Sequence, residues 1–342
     1  MPVYGSGGSR WQPLFLPRPG ESLQLEASRP AATEGAALAI DRASLAVELG
    51  ARSSQSTLAF DYRSSLGGPH AITLPEGATL TSLVQDGMAL PLPGSAAALR
   101  IPTLPGSHSV RIAWREAGAA GLGQSTPAVS LNAPAGNISI AATLPRSRWI
   151  LFTDGPRIGP AVLYWSELAV LVLAALLLGR LRLTPLRTWQ WLLLGLGFST
   201  FAWPIFALVV VWLLVMGWRG RWPAEMDDNR FRALQVLVGL LSLIALLWLV
   251  ISIPLGLLGS PDMHVVGNRS FGNQLNWFQD RIDGALPLAT VLSVPLWIYK
   301  VAILLWALWL SFSLLRWLPW AWQCFSHGGI WRGRVKTETG PA

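Results

Sequence analysis

Residues 234–258 read LQVLVGLLSLIALLWLVISIPLGLL, 25 residues without a charged side chain. About 20 apolar residues in a helix cross the ~30 Å hydrocarbon core of a bilayer, so this run predicts a membrane-spanning helix. Three more apolar runs of sufficient length lie at about residues 159–179, 189–218 and 287–315. The sequence therefore predicts an α-helical multi-pass transmembrane domain over residues 161–320.

The composition of the whole chain agrees with a membrane location. Of its 342 residues, 52% are hydrophobic and 13% are charged, and the mean hydropathy is +0.43. Soluble domains are about one-quarter charged, so a disordered or wholly soluble chain is excluded. The net charge of +8 comes mostly from arginines at the ends of apolar runs, which is typical of cytoplasmic flanks. The predicted partner is thus the lipid bilayer, and nucleic acid is not a predicted partner.

The residues before the membrane segments show the two-residue periodicity of β-strands. Val110, Ile112 and Trp114 alternate with Arg111 and Arg115. Short runs of this kind recur between Gly- and Pro-rich turns over residues 11–153, which predicts an all-β, sandwich-like N-terminal domain.

Turns and chain ends complete the predicted organisation. Asp86-Gly87 between two apolar runs indicates a hairpin, and Pro91 shortly afterwards predicts that its second strand is short. Residues 154–160 read as a linker, residues 1–10 as a disordered or truncated start, and residues 321–342 as a cytoplasmic tail. The start of the sequence lacks a signal-peptide pattern, so either the β domain is cytoplasmic or the sequence is a piece of a longer exported protein.

The second apolar segment, residues 189–218, contains helix-breaking residues near its middle. Gly195, Gly197 and Ser199 precede Pro204. Each half would be about 21 Å long, too short to cross about 30 Å. The segment is either one long kinked helix or a re-entrant hairpin.

Positively charged loops restrict the topology, because cytoplasmic loops are enriched in Lys and Arg. If all four segments cross the membrane once and the β domain is outside the cytoplasm, 5 basic residues lie on the cytoplasmic side and 11 on the opposite side, which contradicts this enrichment. Four crossings with the β domain inside, or a re-entrant second segment with the β domain outside, both give 11 inside. Both acceptable topologies place the C-terminus in the cytoplasm.

Three stretches carry a family resemblance: residues 151–160 (LFTDGPRIGP), 183–197 (LTPLRTWQWLLLGLG) and 276–281 (NWFQDR). They resemble the C-terminal part of large proteobacterial inner-membrane proteins that join an exported β-rich region to a few membrane helices. The resemblance implies a periplasmic β domain and favours the re-entrant second segment. It supplies no catalytic residues.

Glu167 and Lys300 are the candidate intramembrane residues, because charges within membrane segments are costly and usually have a partner. Both lie at similar depths if their helices start at the same face, so we expect an intramembrane ion pair. Such a pair either fixes helix packing or lies on a proton or substrate pathway.

The polar stretch at residues 260–285 interrupts the membrane segments. Leu275, Phe278 and Ile282 lie at i, i+3 and i+7, with Trp277 alongside, which predicts a short amphipathic helix on the membrane surface. Asp262 and His264 lack a third metal ligand nearby, so no metal site is predicted.

No catalytic or cofactor-binding pattern stands out in the chain. Its four histidines are scattered, its single cysteine, Cys324, excludes an intramolecular disulfide, and no GxSxG motif is present. The sequence therefore predicts a non-enzymatic anchor or scaffold of the bacterial inner membrane. Its β-rich module would face an envelope protein or a polysaccharide. The alternative is a transporter or channel subunit that uses Glu167 and Lys300.

Overall fold

The computed structural model describes residues 19–20, 37–93, 99–118, 121–200, 202–223 and 227–331. The predicted start at residues 1–10, almost all of residues 11–36, and the tail residues 332–342 lie outside the described residues. The fold presented here belongs to the unit Leu38–Ala342. It has an N-terminal β-rich region followed by a largely helical region, as the sequence predicts.

Within the described residues, eleven strands precede the first helix: β1 (Leu38–Leu49), β2 (Ser53–Ser64), β3 (Gly68–Ile72), β4 (Thr79–Gln85), β5 (Met88–Ala89), β6 (Leu99–Thr103), β7 (Gly106–Ala117), β8 (Gly123–Ser125), β9 (Ala135–Thr143), β10 (Arg148–Asp154) and β11 (Ala161–Val162). Four helices follow: α1 (Tyr164–Arg180), α2 (Thr188–Ser199), α3 (Trp203–Arg219) and α4 (Asp228–Leu258). The described chain ends with β12 (Val265–Val266), β13 (Gln274–Ile282), β14 (Thr290–Pro295) and α5 (Leu296–Ser326).

The largest sheet has seven strands in the order β13-β9-β1-β2-β7-β4-β5. In β7, Val110, Ile112 and Trp114 are buried while Arg111 and Arg115 are exposed, so the strand predicted from this alternation is confirmed. Neighbouring strands in this sheet are antiparallel except for β1 and β9, which are parallel.

The hairpin predicted at Asp86-Gly87 is also confirmed. Both residues have positive φ angles, 51° and 81°, and they connect β4 to β5. Positive φ at both central positions suits the twist of a two-residue hairpin. The strand β5 has two residues and ends before Pro91, as expected.

A single hydrophobic cluster joins the sheets of the β-rich region. It contains buried residues of the seven-stranded sheet, of the β3-β6 pair and of the β10-β14-β8 sheet. A β-rich region with one core is thus established for the described residues, whereas its sandwich arrangement stays a prediction.

The segment between α4 and α5 returns to the β-rich region, which the sequence analysis did not foresee. The strand β13 pairs with β9 from Gln274 opposite Thr143 to Ile282 opposite Ala135. The strand β14 lies between β10 and β8, and β12 pairs with β11. Three sheets therefore become complete only with residues that follow the fourth helix.

The predicted surface helix at Leu275, Trp277, Phe278 and Ile282 is wrong. These residues belong to β13, and Leu275, Trp277 and Ile282 are buried in the β core, while Phe278 is partly buried. The segment forms a strand because its backbone pairs with β9, which lies more than 130 residues earlier in the chain. Such tertiary pairing outweighs the local helical periodicity.

The helix boundaries also differ from the predicted segments. Helix α1 starts at Tyr164 because residues 161–162 form β11, and α5 starts at Leu296 because residues 290–295 form β14. Helix α5 continues to Ser326, past the predicted start of the tail at residue 321. The predicted transmembrane domain, residues 161–320, thus contains four strands, β11 to β14.

The helices run between two ends of a bundle. At the proximal end, which adjoins the β-rich region, α1 begins after β11, α4 ends before β12, and α5 begins directly after β14. At the distal end, Arg219 of α3 contacts Gln235 of α4 and the Phe325 carbonyl of α5. Helices α1 and α5 therefore both run away from the β-rich region, while α4 returns to it.

The second apolar segment forms two helices, α2 and α3, arranged as a hairpin. At the distal end, a Cβ on Gly179 would overlap Thr188 at the start of α2, and a Cβ on Gly217 would overlap the Leu183 carbonyl. At the proximal end, the Thr200 carbonyl accepts a hydrogen bond from Asp262 N (2.9 Å). The segment is therefore two helices and not one long kinked helix, and its re-entry into the membrane stays a prediction.

Two described helices, α4 and α5, are long and apolar enough to cross a membrane, and α3 is a shorter apolar helix. Many large apolar side chains of α4 point outward; Leu243, for example, is 66% exposed. An exposed apolar face of this kind favours lipid over water as its surroundings.

Candidate functional site at the junction of strands and helices

Glu167 lies in the first turn of α1 and faces two other elements. Its Oε1 lies 3.1 Å from His264 Nδ1, and its Oε2 accepts a hydrogen bond from Trp203 Nε1 (3.2 Å). The carboxylate therefore connects α1, the start of α3 and the chain between α4 and β12 at the proximal end.

His264 holds this connecting chain in place through both its ring and its backbone. Its Nε2 lies 3.0 Å from the Ser199 carbonyl, and its own carbonyl accepts a hydrogen bond from Leu163 N (2.9 Å). Each ring nitrogen of His264 therefore faces an oxygen atom, one from Glu167 and one from the Ser199 carbonyl. The residue has a positive φ of 50°.

Lys300 does not pair with Glu167, in contrast to the expectation from the sequence. Its ammonium donates hydrogen bonds to the carbonyls of Leu257 (3.0 Å) and Gly259. These carbonyls lie at the C-terminal end of α4, where a cation also interacts favourably with the helix dipole. The structure thus gives Glu167 and Lys300 separate partners within the same end of the bundle.

A cavity of about 410 Å³ lies next to this cluster, between α2, α5 and β10. Its walls are mainly aromatic and aliphatic, and the described residues that line it include no charged side chain. The lining residues are Trp149, Tyr164, Leu193, Leu196, Gly197, Thr200, Tyr299, Ala302, Ile303, Leu305, Trp306 and Trp309. Its volume and lining are typical of pockets for small apolar ligands.

Three lining residues, Tyr164, Thr200 and Tyr299, carry hydroxyl groups, and two of these hydroxyls lie close together. Thr200 Oγ1 donates a hydrogen bond to the Gly197 carbonyl (2.9 Å) and lies 3.4 Å from the Tyr299 hydroxyl. Tyr299 is 3% exposed, so most of its side chain packs against neighbouring residues. The sequence analysis singled out neither Thr200 nor Tyr299, because nothing in the local pattern separates them from packing residues.

The described residues contain no group of three or more His, Cys, Asp or Glu side chains placed to hold a metal ion. Asp262 uses its Oδ1 to accept a hydrogen bond from the His264 amide (3.0 Å), which is a local turn contact. The polar cluster therefore orders the junction through hydrogen bonds, and the adjacent cavity is the feature suited to a ligand.

One titratable pair lies far from the helices, in the β-rich region. His108 Nδ1 lies 2.6 Å from Asp86 Oδ2 at the β4–β5 turn. The pKa of Asp86 is lowered, mainly by the hydrogen bond from the Ser109 amide and to a smaller extent by the hydrogen bond with His108. The pKa of His108 is raised, mainly by its hydrogen bond with Asp86 and to a smaller extent by the Pro105 carbonyl.

No protein-family model and no curated protein matches the sequence. Among solved structures, an M1 zinc metallopeptidase from Deinococcus radiodurans matches at 11% identity over 35% of this chain and 34% of its own, with a TM-score of 0.26. Leukotriene A4 hydrolase from Saccharomyces cerevisiae matches at 8% identity over 36% and 25% of the respective chains, with a TM-score of 0.25. The chain spans about a third of the length of the peptidase. At these TM-scores the similarities carry no argument about fold or activity.

Proposed function

We propose that this protein is a multi-pass anchor of the bacterial inner membrane that holds a β-rich module fixed at the periplasmic surface. The observation that carries the proposal is the return of β13 and β14 from the helical region into two sheets of the module. Strands on both sides of α1–α4 share one core, so the module is attached to the bundle at several points and not through a single linker.

The distribution of arginines supports the proposed orientation. In the described residues, the connections at the distal end carry Arg180, Arg182, Arg187, Arg219, Arg221, Arg230 and Arg232. The sequence after α5 adds Arg332, Arg334 and Lys336. Because cytoplasmic flanks are enriched in such residues, we place the distal end in the cytoplasm and the module in the periplasm.

The α2–α3 hairpin makes this orientation consistent with the order of the helices. Helix α2 has 12 residues, about 18 Å, and is too short to cross the hydrocarbon core by itself. With both outer ends of the hairpin at the distal end, we propose that α4 and α5, the two described helices long and apolar enough to span a membrane, cross it together with the 17-residue α1. We propose that an envelope protein or a polysaccharide is the partner of the module.

The transporter alternative receives less support from the structure. It depended on Glu167 and Lys300 acting on each other within the membrane, and each has another partner. No observation on the described residues favours a pathway through the bundle over a static junction.

Thiol labelling of two opposite reporters tests the orientation. In a Cys324→Ser background expressed from the full reading frame, Glu76→Cys places a thiol in an exposed turn of the module. Asn229→Cys places a matched thiol in the exposed first turn of α4 at the distal end. A membrane-impermeant reagent should label position 76 in intact spheroplasts and position 229 only after lysis.

The labelling pattern has clear contradicting outcomes. Labelling of position 229 but not 76 in intact spheroplasts would reverse the orientation. Labelling of both positions would show that the chain does not separate two compartments. Neither reporter alters a basic residue, so the topogenic charges stay unchanged.

A further inference from the structure

We propose that the cavity between α2, α5 and β10 binds one acyl chain of a membrane glycerolipid, with the ester carbonyl of that chain at the Tyr299 hydroxyl. The inference rests on the membrane placement proposed above. It adds a ligand site to a protein otherwise proposed to be an anchor.

The cavity has rigid walls. Trp306 forms one wall, and its Nε1 donates a hydrogen bond to the Leu193 carbonyl (2.9 Å). Its ring packs edge-on against Phe198 at 5.2 Å between centroids. A Cβ on Gly197 would overlap the Trp306 ring, so glycine is needed for α2 and α5 to approach this closely. A pocket with walls held in this way is formed before a ligand arrives.

The cavity opens toward the lipid-facing side of α5. Ala302 and Leu305 line it, and both are exposed, with Leu305 at 62%. Exposed apolar residues continue along the same helix at Val301, Leu304 and Leu308. In a bilayer this surface is covered by acyl chains, so the molecule next to the opening is a lipid. An uncharged aromatic and aliphatic lining is suited to such a chain.

At one end of the cavity, the Tyr299 hydroxyl is a hydrogen-bond donor with only a distant acceptor. The Thr200 hydroxyl proton goes to the Gly197 carbonyl, which leaves Thr200 Oγ1 as the acceptor for Tyr299 at 3.4 Å. Hydroxyl donors normally lie 2.5–3.0 Å from their acceptors, so this contact is weak. The Tyr299 hydroxyl is therefore free to donate to a better acceptor inside the cavity.

The position of Tyr299 identifies that acceptor. Tyr299 is the fourth residue of α5, at the end of the helix that adjoins the β-rich region. The interface between headgroups and hydrocarbon lies at such helix ends, and ester carbonyls of glycerolipids occupy it. An acyl chain in the cavity with its ester carbonyl at Tyr299 satisfies both the apolar walls and the hydroxyl.

Photo-crosslinking in vesicles tests this assignment. The full chain is reconstituted in phosphatidylcholine vesicles containing phosphatidylcholine with a diazirine on one acyl chain, and cross-linked peptides are mapped by mass spectrometry. We expect cross-links in residues 193–200 and 302–309, which line the cavity. Cross-links on the outward face of α4, around Leu243 and Leu247, serve as the internal reference for ordinary lipid contact.

Three variants separate a cavity-bound chain from ordinary lipid contact. Ala302→Phe fills the opening, and Val301→Phe adds the same ring at the neighbouring exposed position that does not line the cavity. Tyr299→Phe removes only the hydroxyl. Relative to α4, cross-linking of residues 193–200 should fall about tenfold in Ala302→Phe, about fivefold in Tyr299→Phe, and remain unchanged in Val301→Phe.

Equal cross-linking in Ala302→Phe and Val301→Phe, with α4 labelled normally, would overturn the acyl-chain site and leave the proposed membrane anchor intact. Full cross-linking in Tyr299→Phe would overturn the role of the hydroxyl. Retained labelling of α4 in this nearly isosteric variant distinguishes that result from misfolding. Absence of cross-links on α4 as well would overturn the membrane placement and this inference together.

Discussion

The proximal and distal ends of the helical bundle both hold buried or partly buried charged groups, but their partners come from different parts of the chain. At the proximal end, Glu167 contacts His264, which belongs to the chain leading into β12. At the distal end, Arg219 is fully buried and contacts Gln235 of α4 and the C-terminal end of α5. The proximal end thus depends on the β-rich region, whereas the distal end depends on helix–helix contacts.

This difference predicts which end of the bundle each substitution should destabilise. A defect in β13 should loosen the proximal end through residues 259–266, which connect α4 to the sheets. A defect at Arg219 should separate the distal ends of α3, α4 and α5 and leave the sheets intact.

The largest expected effect comes from breaking the strand that closes the β core. Trp277 of β13 is 1% exposed and packs against Gly155 and Gly159. A Cβ atom at either glycine would overlap the Trp277 ring. Trp277→Ala should lower the free energy of unfolding by about 4 kcal/mol, because it creates a large cavity. Urea unfolding of the full chain in detergent measures this loss. Phe271→Ala, at a 64% exposed position before β13, is the matched control and should change stability by less than about 0.5 kcal/mol.

The distal end is tested by removing its buried guanidinium. Arg219 donates to Gln235 Oε1 (2.7 Å) and the Phe325 carbonyl (3.0 Å), and it stacks on Trp222 and Phe231. Arg219→Met should cost about 3 kcal/mol, since charged hydrogen bonds are lost and buried acceptors remain. The same unfolding assay applies, with Arg230→Met at an exposed position as the control. Equal stability of the two variants would contradict a distal end held together by Arg219.

A double-mutant cycle distinguishes the two partners considered for Glu167. Glu167→Gln combined with His264→Asn should show a coupling free energy of about 1 kcal/mol, because the two side chains are in contact. Glu167→Gln combined with Lys300→Met should be additive within about 0.5 kcal/mol. Strong coupling to Lys300 instead would restore the intramembrane pair predicted from the sequence. Unfolding free energies of the wild type, the three single variants and the two double variants provide the measurement.

The smallest expected effect is a pH dependence confined to the β-rich region. The pKa of Asp86 is lowered from 3.8, so its contribution to stability is present above that value and is lost as the pH falls. The pKa of His108 is raised from 6.5, so its contribution is complete below 6.5 and is lost as the pH rises through the raised value.

The difference in melting temperature between the wild type and His108→Gln should therefore be largest between pH 3.8 and 6.5 and should shrink at higher pH. Arg63→Gln is the control, because its partner Asp41 and Arg63 itself both stay charged across this range. A difference that grows with rising pH would contradict the assigned pair.

Local patterns predicted the elements whose partners lie nearby in sequence. The alternation of Val110, Ile112 and Trp114 is confirmed in β7, and Asp86-Gly87 forms its hairpin. The uncharged run at residues 234–258 lies within α4, one of the two helices long and apolar enough to cross a membrane. These features depend on periodicity, turn chemistry and length, which a sequence displays directly.

Most contacts of the candidate site could not be predicted from the sequence. Leu275 and Ile282 fit a helical period, whereas Leu275 and Trp277 fit the two-residue period of a strand. The strand forms because it pairs with β9, and no local signal in the sequence indicates that pairing. The pairing of β12 with β11 places His264 beside Glu167, so the expected partner, Lys300, was wrong for a tertiary reason. The cavity likewise forms from α2, α5 and β10, which are distant in sequence.

The return of β13 and β14 after α4 has a consequence for how this chain is made. Synthesis proceeds from the N-terminus, so β9 and β10 emerge long before the strands that pair with them. Until residues 274–295 arrive, β9 has an unpaired edge and the space filled by Trp277 is vacant. Unpaired edges of this kind are prone to pairing with other chains. The β-rich region therefore matures last, and a ribosome that stalls within α4 releases a product whose sheets are still open.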